Sequence, residues 1–424
     1  MKVKKYDIIN EQVLSKVHQS GLRVYIMPKK GFGKSYATFA TNFGSVDNVF
    51  MRNGEKVVLP DGIAHFLEHK VFEEPDYNVF AEFSKLGASA NAYTSFDLTT
   101  YLFSATDNFY DSLKILLSYV QNPYFTDENV AKEQGIIGQE IGMYDDDPEW
   151  NVFFNMLRAM YKKHSINIDI AGSVKSISEI TKETLYKCYE SFYNPANMVL
   201  FIVGDVEPDK VWDVVEECIK TAPRPEVEVI REAEPDEINM PTITQNFCVA
   251  KPIFCMGFKE KPMDDPVWAD AVYTILLEML FGKSSELYQS LYNEGLINAA
   301  FSASYSAGKE YAFVEMSSES DNPEKVRDII LGYVAEIKKN RLLKEDFERI
   351  KRALYGKVLR SLNSVDSIAN QFISMIMRGG DYPEFAQTIN KVTFEDIENL
   401  LQGALDQTKC VLSVVKATEE GCES

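Results

Sequence analysis

Asp61-Gly-Ile-Ala-His-Phe-Leu-Glu-His-Lys70 carries the pattern H-x-x-E-H at His65, Glu68 and His69. Only four histidines occur in 424 residues (His18, His65, His69 and His164), and two of them fall inside these five positions. A helix turns once in about 3.6 residues, so positions i, i+3 and i+4 share a face, and both imidazoles project with the carboxylate. Pro60-Asp61-Gly62 supplies a helix start, and Ile63, Ala64, Phe66, Leu67 and Val71 supply the apolar positions that bury it. The plain alternative is an amphipathic core helix whose histidines only satisfy hydrogen bonds. The spacing argues against it, because two stacked imidazoles beside a glutamate are costly to bury unless a cation neutralises them. The pattern is the reverse of H-E-x-x-H and predicts a bound zinc ion.

Around this stretch, length and composition bound the answer. A chain of 424 residues exceeds one ordinary core, so two or more domains are expected. Hydrophobic content of 45% and aromatic content of 12% mark a folded globular protein. A formal net charge of −20 argues against nucleic acid or an anionic membrane as partner. The six cysteines (Cys188, Cys218, Cys248, Cys255, Cys410 and Cys422) form no C-x-x-C pair and read as reduced thiols. The first residues lack an apolar h-region and no apolar run of about 18 residues occurs, so a cytoplasmic location is the expectation.

Before the histidine helix, Leu22 to Ile26 and Tyr36 to Asn42 read as strands divided by a turn. Gly33-Lys34-Ser35 in that turn is no phosphate-binding loop, because G-x-x-x-x-G-K-[ST] needs glycine where Pro28 stands. After the helix, a second helix is expected from Ala81 to Leu86, then strands from Ser89 to Thr94 and from Thr99 to Ser104. Another amphipathic helix covers Phe109 to Val120, and a further one starts at a capping signal around Thr126. The latter carries Glu133 and Glu140 two turns apart and so on one side. Val199-Leu-Phe-Ile-Val203 reads as a buried strand.

The pattern then repeats. Ile177-Ser-Glu-Ile-Thr181 has its counterpart in Ile389-Asn-Lys-Val-Thr393, and Val199 to Val203 in Val411 to Val415, both displaced by 212 residues (389 − 177 and 411 − 199). Two coincident displacements predict two homologous domains: 1–222, then a Pro- and acid-rich linker over 223–241, then 242–424. The expected fold class is α+β, each domain a mostly antiparallel sheet packed against helices and related to the other by internal duplication. In the second copy His65-Phe-Leu-Glu-His69 aligns with Ile275-Leu-Leu-Glu-Met279, and Glu140 falls opposite Lys357, so the ligands are gone.

These residues resemble the pitrilysin and insulin-degrading-enzyme family of zinc metallopeptidases (inverzincins), in the short two-domain type that includes mitochondrial processing peptidase and bacterial relatives. Carrying the resemblance are Gly62 to His69, Gly87-Ala-Ser-Ala-Asn-Ala-Tyr-Thr94, the paired glutamates, Tyr193-Asn-Pro-Ala-Asn-Met198 and the decayed second half, in the family's order. It implies Glu140 as third ligand beside His65 and His69, and Glu133 as the acid that orients a ligand histidine. The glutamates' spacing alone does not choose between them. It further implies one Zn2+ per chain, Glu68 as the base that takes a proton from the attacking water, and peptide-bond hydrolysis without a covalent intermediate. Asn91, Ala92 and Tyr93 would contact the backbone of a peptide substrate added to the sheet edge.

One departure stands out. The family's active members carry an arginine and a tyrosine in the second half that hold substrate and oxyanion, and Tyr292 and Asn298 occupy those places. The resemblance then implies a zinc-free paralogous subunit that supplies the groups in a heterodimer, with a homodimer as the other option. Against this zinc endopeptidase stand a non-catalytic family scaffold and a peptide-binding chaperone with structural zinc.

Overall fold

A computed structural model describes residues 1–75, 77–221 and 226–417. Fifteen strands fall among them: β1 Lys2–Tyr6, β2 Glu11–Val17, β3 Arg23–Pro28, β4 Ser35–Thr41, β5 Val49–Arg52, β6 Glu55–Val58, β7 Ala88–Thr94, β8 Thr99–Ala105, β9 Met198–Gly204, β10 Val227–Val229, β11 Thr242–Phe247, β12 Ile253–Glu260, β13 Ser302–Ala307, β14 Ala312–Glu319 and β15 Cys410–Ala417. The first sheet runs β1-β2-β3-β9-β4-β8-β7 and the second β11-β15-β12-β14-β13, with a small third sheet β10-β5-β6. The duplication is visible in the topology. β3-β9-β4-β8-β7 and β11-β15-β12-β14-β13 are the same five-strand order, each opening on its sheet's one parallel pair. The helices Lys182–Phe192 and Phe394–Gly403 open on matching capping boxes at Thr181 and Thr393, again 212 residues apart (393 − 181). The expected mixed fold, with two homologous domains, is therefore the observed one.

Both sheets are covered on both faces, which explains the unbroken apolar run in β9, buried at every position. On one side of the first sheet lie α1 (Ile63–Val71), α2 (Val79–Lys85), α3 (Phe109–Tyr119) and the helix Lys182–Phe192, packed around Phe39, Tyr101, Phe103, Leu200 and Ile202. The other side is covered from the second half, by the helix Val365–Met377, which sets Ile368, Phe372 and Ile373 against Tyr36, Val199 and Phe201. In return α4 (Asp127–Asp145) is followed by α5 (Pro148–Met160), whose Val152, Met156 and Met160 pack on Cys255, Phe313, Val411 and Val415 of the second sheet. Gly257 permits that approach: a Cβ there would lie 2.5 Å from the Met156 sulfur. Each half thus lends one helix to the other.

The segment expected to be a linker is pinned. β10 pairs antiparallel with β5, Arg231 pairs with Asp47, and the Glu234 carboxylate accepts from the backbone N–H groups of Lys162, Lys163 and His164. Lys259 of β12 closes on Glu234 at 2.6 Å, so the segment ties α5 to the second sheet. One cysteine corrects the reading of all six as reduced: Cys248, exposed just past β11, is disulfide-bonded, whereas Cys188, Cys218, Cys255 and Cys410 are free. Cys422 lies outside the described residues, and the absence of a C-x-x-C pair left the sequence with no signal for a bridge. No described helix is long and apolar enough to cross a membrane.

Gly62 positions the histidine helix. It caps α1 at φ +89°, the left-handed region, and a Cβ there would lie 2.3 Å from the Ala171 carbonyl oxygen. Gly62→Ala is therefore expected to lose roughly 2–6 kcal/mol, adding left-handed strain of about 1–3 to overpacking of about 1–3. Denaturant titration against the parent chain measures it, and a loss under about 0.5 kcal/mol would show that α1 starts without this constraint.

Candidate metal centre

α1 buries Ile63, Ala64, Phe66, Leu67 and Val71 in the first core and turns its remaining face to α4. That face presents His65, Glu68 and His69, with ring centroids of the two histidines 4.7 Å apart. α4 starts at a capping box on Thr126, which fixes its phase, and brings Glu133 and Glu140 to the same place. The structure therefore gathers all five chemistry-bearing residues singled out in the sequence. His65 Nε2 lies 3.6 Å from Glu140 Oε1, and His69 Nε2 lies 3.5 Å from Glu140 Oε2. One ligand atom from each of the three residues falls within 4.8 Å of the others. A tetrahedral zinc ion with bonds of about 2.0–2.1 Å separates its ligand atoms by about 3.4 Å, so the two distances from the histidines to Glu140, 3.6 and 3.5 Å, fit the ion.

The electrostatics fit a cation as well. Burial, and then His69, lowers the His65 pKa to about 4, so this imidazole is neutral at neutral pH, the form that binds metal. Burial also pulls the His69 pKa down, but the hydrogen bond to Glu133 and the charges of Glu68, Glu133 and Glu140 outweigh it and raise the value. The carboxylates thus favour positive charge at the centre. Burial raises the Glu68 pKa, while the Thr94 hydroxyl, donating to Oε2 at 2.8 Å, opposes that rise. A carboxylate raised in this way is a stronger proton acceptor than an exposed one.

Glu133 does not face the ligand atoms. Its Oε1 lies 3.0 Å from His69 Nδ1, which leaves Nε2 for the pocket, and its Oε2 lies 3.7 Å from the ammonium of Lys70. Lys70 is fully buried, paired with Glu73 and donating to the Asn129 carbonyl at 3.2 Å. Glu133 is held below the usual carboxylate range by the His69 and Lys70 contacts, against its burial. Nothing in the sequence marks Lys70, because a lysine after H-x-x-E-H reads as surface charge until the helix is seen from behind. Nδ1 of His65 is buried with no hydrogen-bond partner among the described residues.

The centre opens into a cavity of about 220 Å³ lined by His65, Glu68, His69, Ala92, Tyr93, Thr94, Glu140, Tyr144, Trp150, Ile170 and Ala171. Of the expected substrate contacts, Ala92 and Tyr93 line it; Asn91 is exposed on the same edge strand β7, its Oδ1 accepting from the Ala92 N–H. Thr94, Tyr144 and Trp150 went unassigned in the sequence, although Tyr144 stands one helical turn after Glu140. In the second half a cavity of about 560 Å³ has Glu278 and Lys357 on its wall beside Ser302 to Tyr305 of β13, so the decayed copy keeps a pocket and no ligand set. Tyr292 is exposed and stacked on Tyr288, and Asn298 is bound up locally, donating to Glu319 at 2.9 Å and accepting from Ala300 N–H.

Residues 59–173 match the family model described as "Insulinase (Peptidase family M16)", and residues 179–354 match "Peptidase M16 inactive domain". The zinc protease YmfH of Bacillus subtilis, described as uncharacterized, is 42% identical over 409 residues, which cover 94% of this chain and 95% of that one. The zinc protease PqqE of Helicobacter pylori is 24% identical over 75% of this chain and 74% of its own. A crystal structure of an M16-like peptidase from Alicyclobacillus acidocaldarius superposes with a TM-score of 0.93 at 36% identity, covering 96% of this chain and 99% of that chain.

Proposed function

The chain belongs to the M16 family of insulinase- and pitrilysin-like peptidases, in its short two-domain form, and from that premise we propose that it is a zinc-dependent endopeptidase acting on short or unfolded peptides. The observation that carries the proposal is the gathering of His65, His69 and Glu140 ligand atoms within 4.8 Å, with the Glu68 carboxylate on the wall of the same cavity. His65, His69 and Glu140 would hold one zinc ion. When bound, zinc supplies Lewis acidity, lowering the pKa of water to about 7 and polarising the scissile carbonyl. Glu68 takes the proton from the attacking water and returns it to the leaving amine. Thr94 keeps the Glu68 carboxylate aimed into the cavity. Glu133 holds His69 in the tautomer that leaves Nε2 free. The exposed edge of β7 offers backbone groups to an extended peptide at Asn91, Ala92 and Tyr93, which gives affinity with little sequence preference.

Tyr292 and Asn298 support the second part of the proposal: a partner completes the site. An absent oxyanion partner costs about 2.7–4 kcal/mol of transition-state stabilisation, or about a hundredfold or more in rate. A zinc-free paralogous subunit facing this chain across a closed chamber would supply the missing groups; the fallback is self-association with weak activity, since a second copy carries the same Tyr292 and Asn298. The local bonding of Asn298 favours one further reading, a peptide-binding subunit without turnover. Zinc analysis together with a peptide-library digest, run with and without the presumed paralogue, separates these outcomes. One zinc per chain and cleavage that rises at least about a hundredfold with the paralogue is the expected result. Full activity of the isolated chain, with no paralogue recovered by pull-down from the native cell, would remove the partner, and no zinc would remove the enzyme.

A further inference from the structure

Glu140 is the ligand with most freedom. It comes from a different helix than the histidines, its side chain is partly exposed, and its two oxygens stand almost equally toward the centre, Oε1 at 3.6 Å from His65 Nε2 and Oε2 at 3.5 Å from His69 Nε2. Left to itself, such a carboxylate is free to chelate through both oxygens, and that would fill the coordination position a catalytic zinc site leaves open. Tyr144 breaks the equivalence. It follows Glu140 by four residues on α4, so its side chain lies over the same face, and its hydroxyl donates to Oε1 at 2.5 Å. The hydroxyl is aimed by a rigid support: the phenol ring stacks on Trp150 at 4.4 Å and 13°, the indole N–H of Trp150 donates to Asp169, and Asp169 accepts from the Ala171 N–H at 2.9 Å.

Resting on the zinc reading above, we propose that Tyr144 is a positioning residue that occupies Glu140 Oε1 and so restricts this ligand to a single oxygen, Oε2, keeping the open position for solvent. An oxygen already engaged by a phenol hydroxyl is a poorer donor to a metal, and the geometry presents the other oxygen unencumbered. The support also explains why α4 and α5 meet where they do: Asp147 caps α5 through the N–H groups of Glu149 and Trp150, which plants the indole beneath the Tyr144 ring.

The test substitutes Tyr144→Phe, which retains the ring on Trp150 and removes only the hydroxyl. Zinc affinity is read by competition with a chromogenic chelator, and coordination by the visible spectrum after replacement with Co2+, whose bands are intense when four-coordinate and weak when five-coordinate. The expected result is a Co2+ spectrum moved toward five-coordination, with zinc held more tightly because the freed Glu140 Oε1 adds a ligand atom. Trp150→Phe, which loosens the clamp and leaves the hydroxyl, should shift both in the same direction by less. Unchanged affinity and spectrum in Tyr144→Phe would overturn the proposal while leaving the metal site standing, as would a larger shift from Trp150→Phe, which assigns the effect to packing. Failure of the parent chain to take up one equivalent of zinc or Co2+ would overturn the zinc reading, and this one with it.

Discussion

Glu68→Gln should leave one zinc ion per chain and lower peptide turnover by about 10²–10⁴-fold, with KM changed little. The substitution is close to isosteric, and the Thr94 hydroxyl that donates to Glu68 Oε2 still finds an oxygen acceptor in the amide. The ligand atoms of His65, His69 and Glu140 are untouched. On the proposed mechanism what disappears is the basic oxygen that accepts a proton, a group used only as the transition state forms, so the loss falls on kcat and not on binding. A peptide-binding subunit with structural zinc predicts the opposite, unchanged function in the variant. Metal analysis and steady-state kinetics on the same preparation check the expectation; turnover within about twofold of the parent would remove Glu68 from the chemistry.

The elements whose limits were legible in the sequence are those fixed by local physics. α1 begins where Gly62 adopts φ +89° and buries the apolar residues that its spacing marked. α4 begins at the Thr126 capping box, and β9 is buried from end to end, as an unbroken apolar run requires. The duplication was legible because Thr181 and Thr393 play the same capping role at the same displacement. What resisted sequence reasoning depends on partners distant along the chain. Lys70 is buried only because Asn129 and Glu133 of α4 stand behind it. Val227 to Val229 read as linker because a three-residue strand has no periodicity, and only pairing with β5 reveals it. Glu133 and Glu140 are equivalent in an isolated helix, and their split, one behind His69 and one among the ligand atoms, comes from where α4 crosses α1.

The exchange of helices between the halves was the least legible feature, and it predicts the second large effect: Phe372→Ala should destabilise the whole chain by about 3–5 kcal/mol. Phe372 is 1% exposed on the helix Val365–Met377 of the second half, stacked on Phe201 of β9 at 3.9 Å and 11°, with Tyr25 of β3 at 5.4 Å. That face of the first sheet is covered from the second half, where Ile368, Ala369 and Ile373 meet Val199, Phe201 and Val203. Truncating the ring leaves a cavity between the halves, and exposing the face altogether would present an apolar patch that promotes aggregation. The consequence reaches the metal centre through α5. Its residues are seated on the second sheet, and only Asp146 and Asp147 separate it from α4 and hence from Glu140. A loss of seating between the halves therefore moves Glu140 relative to His65 and His69 on α1. Unfolding followed by circular dichroism, and zinc release followed with a chromogenic chelator, should coincide in a single transition that shifts as a unit in the variant. Two separate transitions, with zinc retained through the first, would mean that the halves stand independently and that the exchanged helices do not join them.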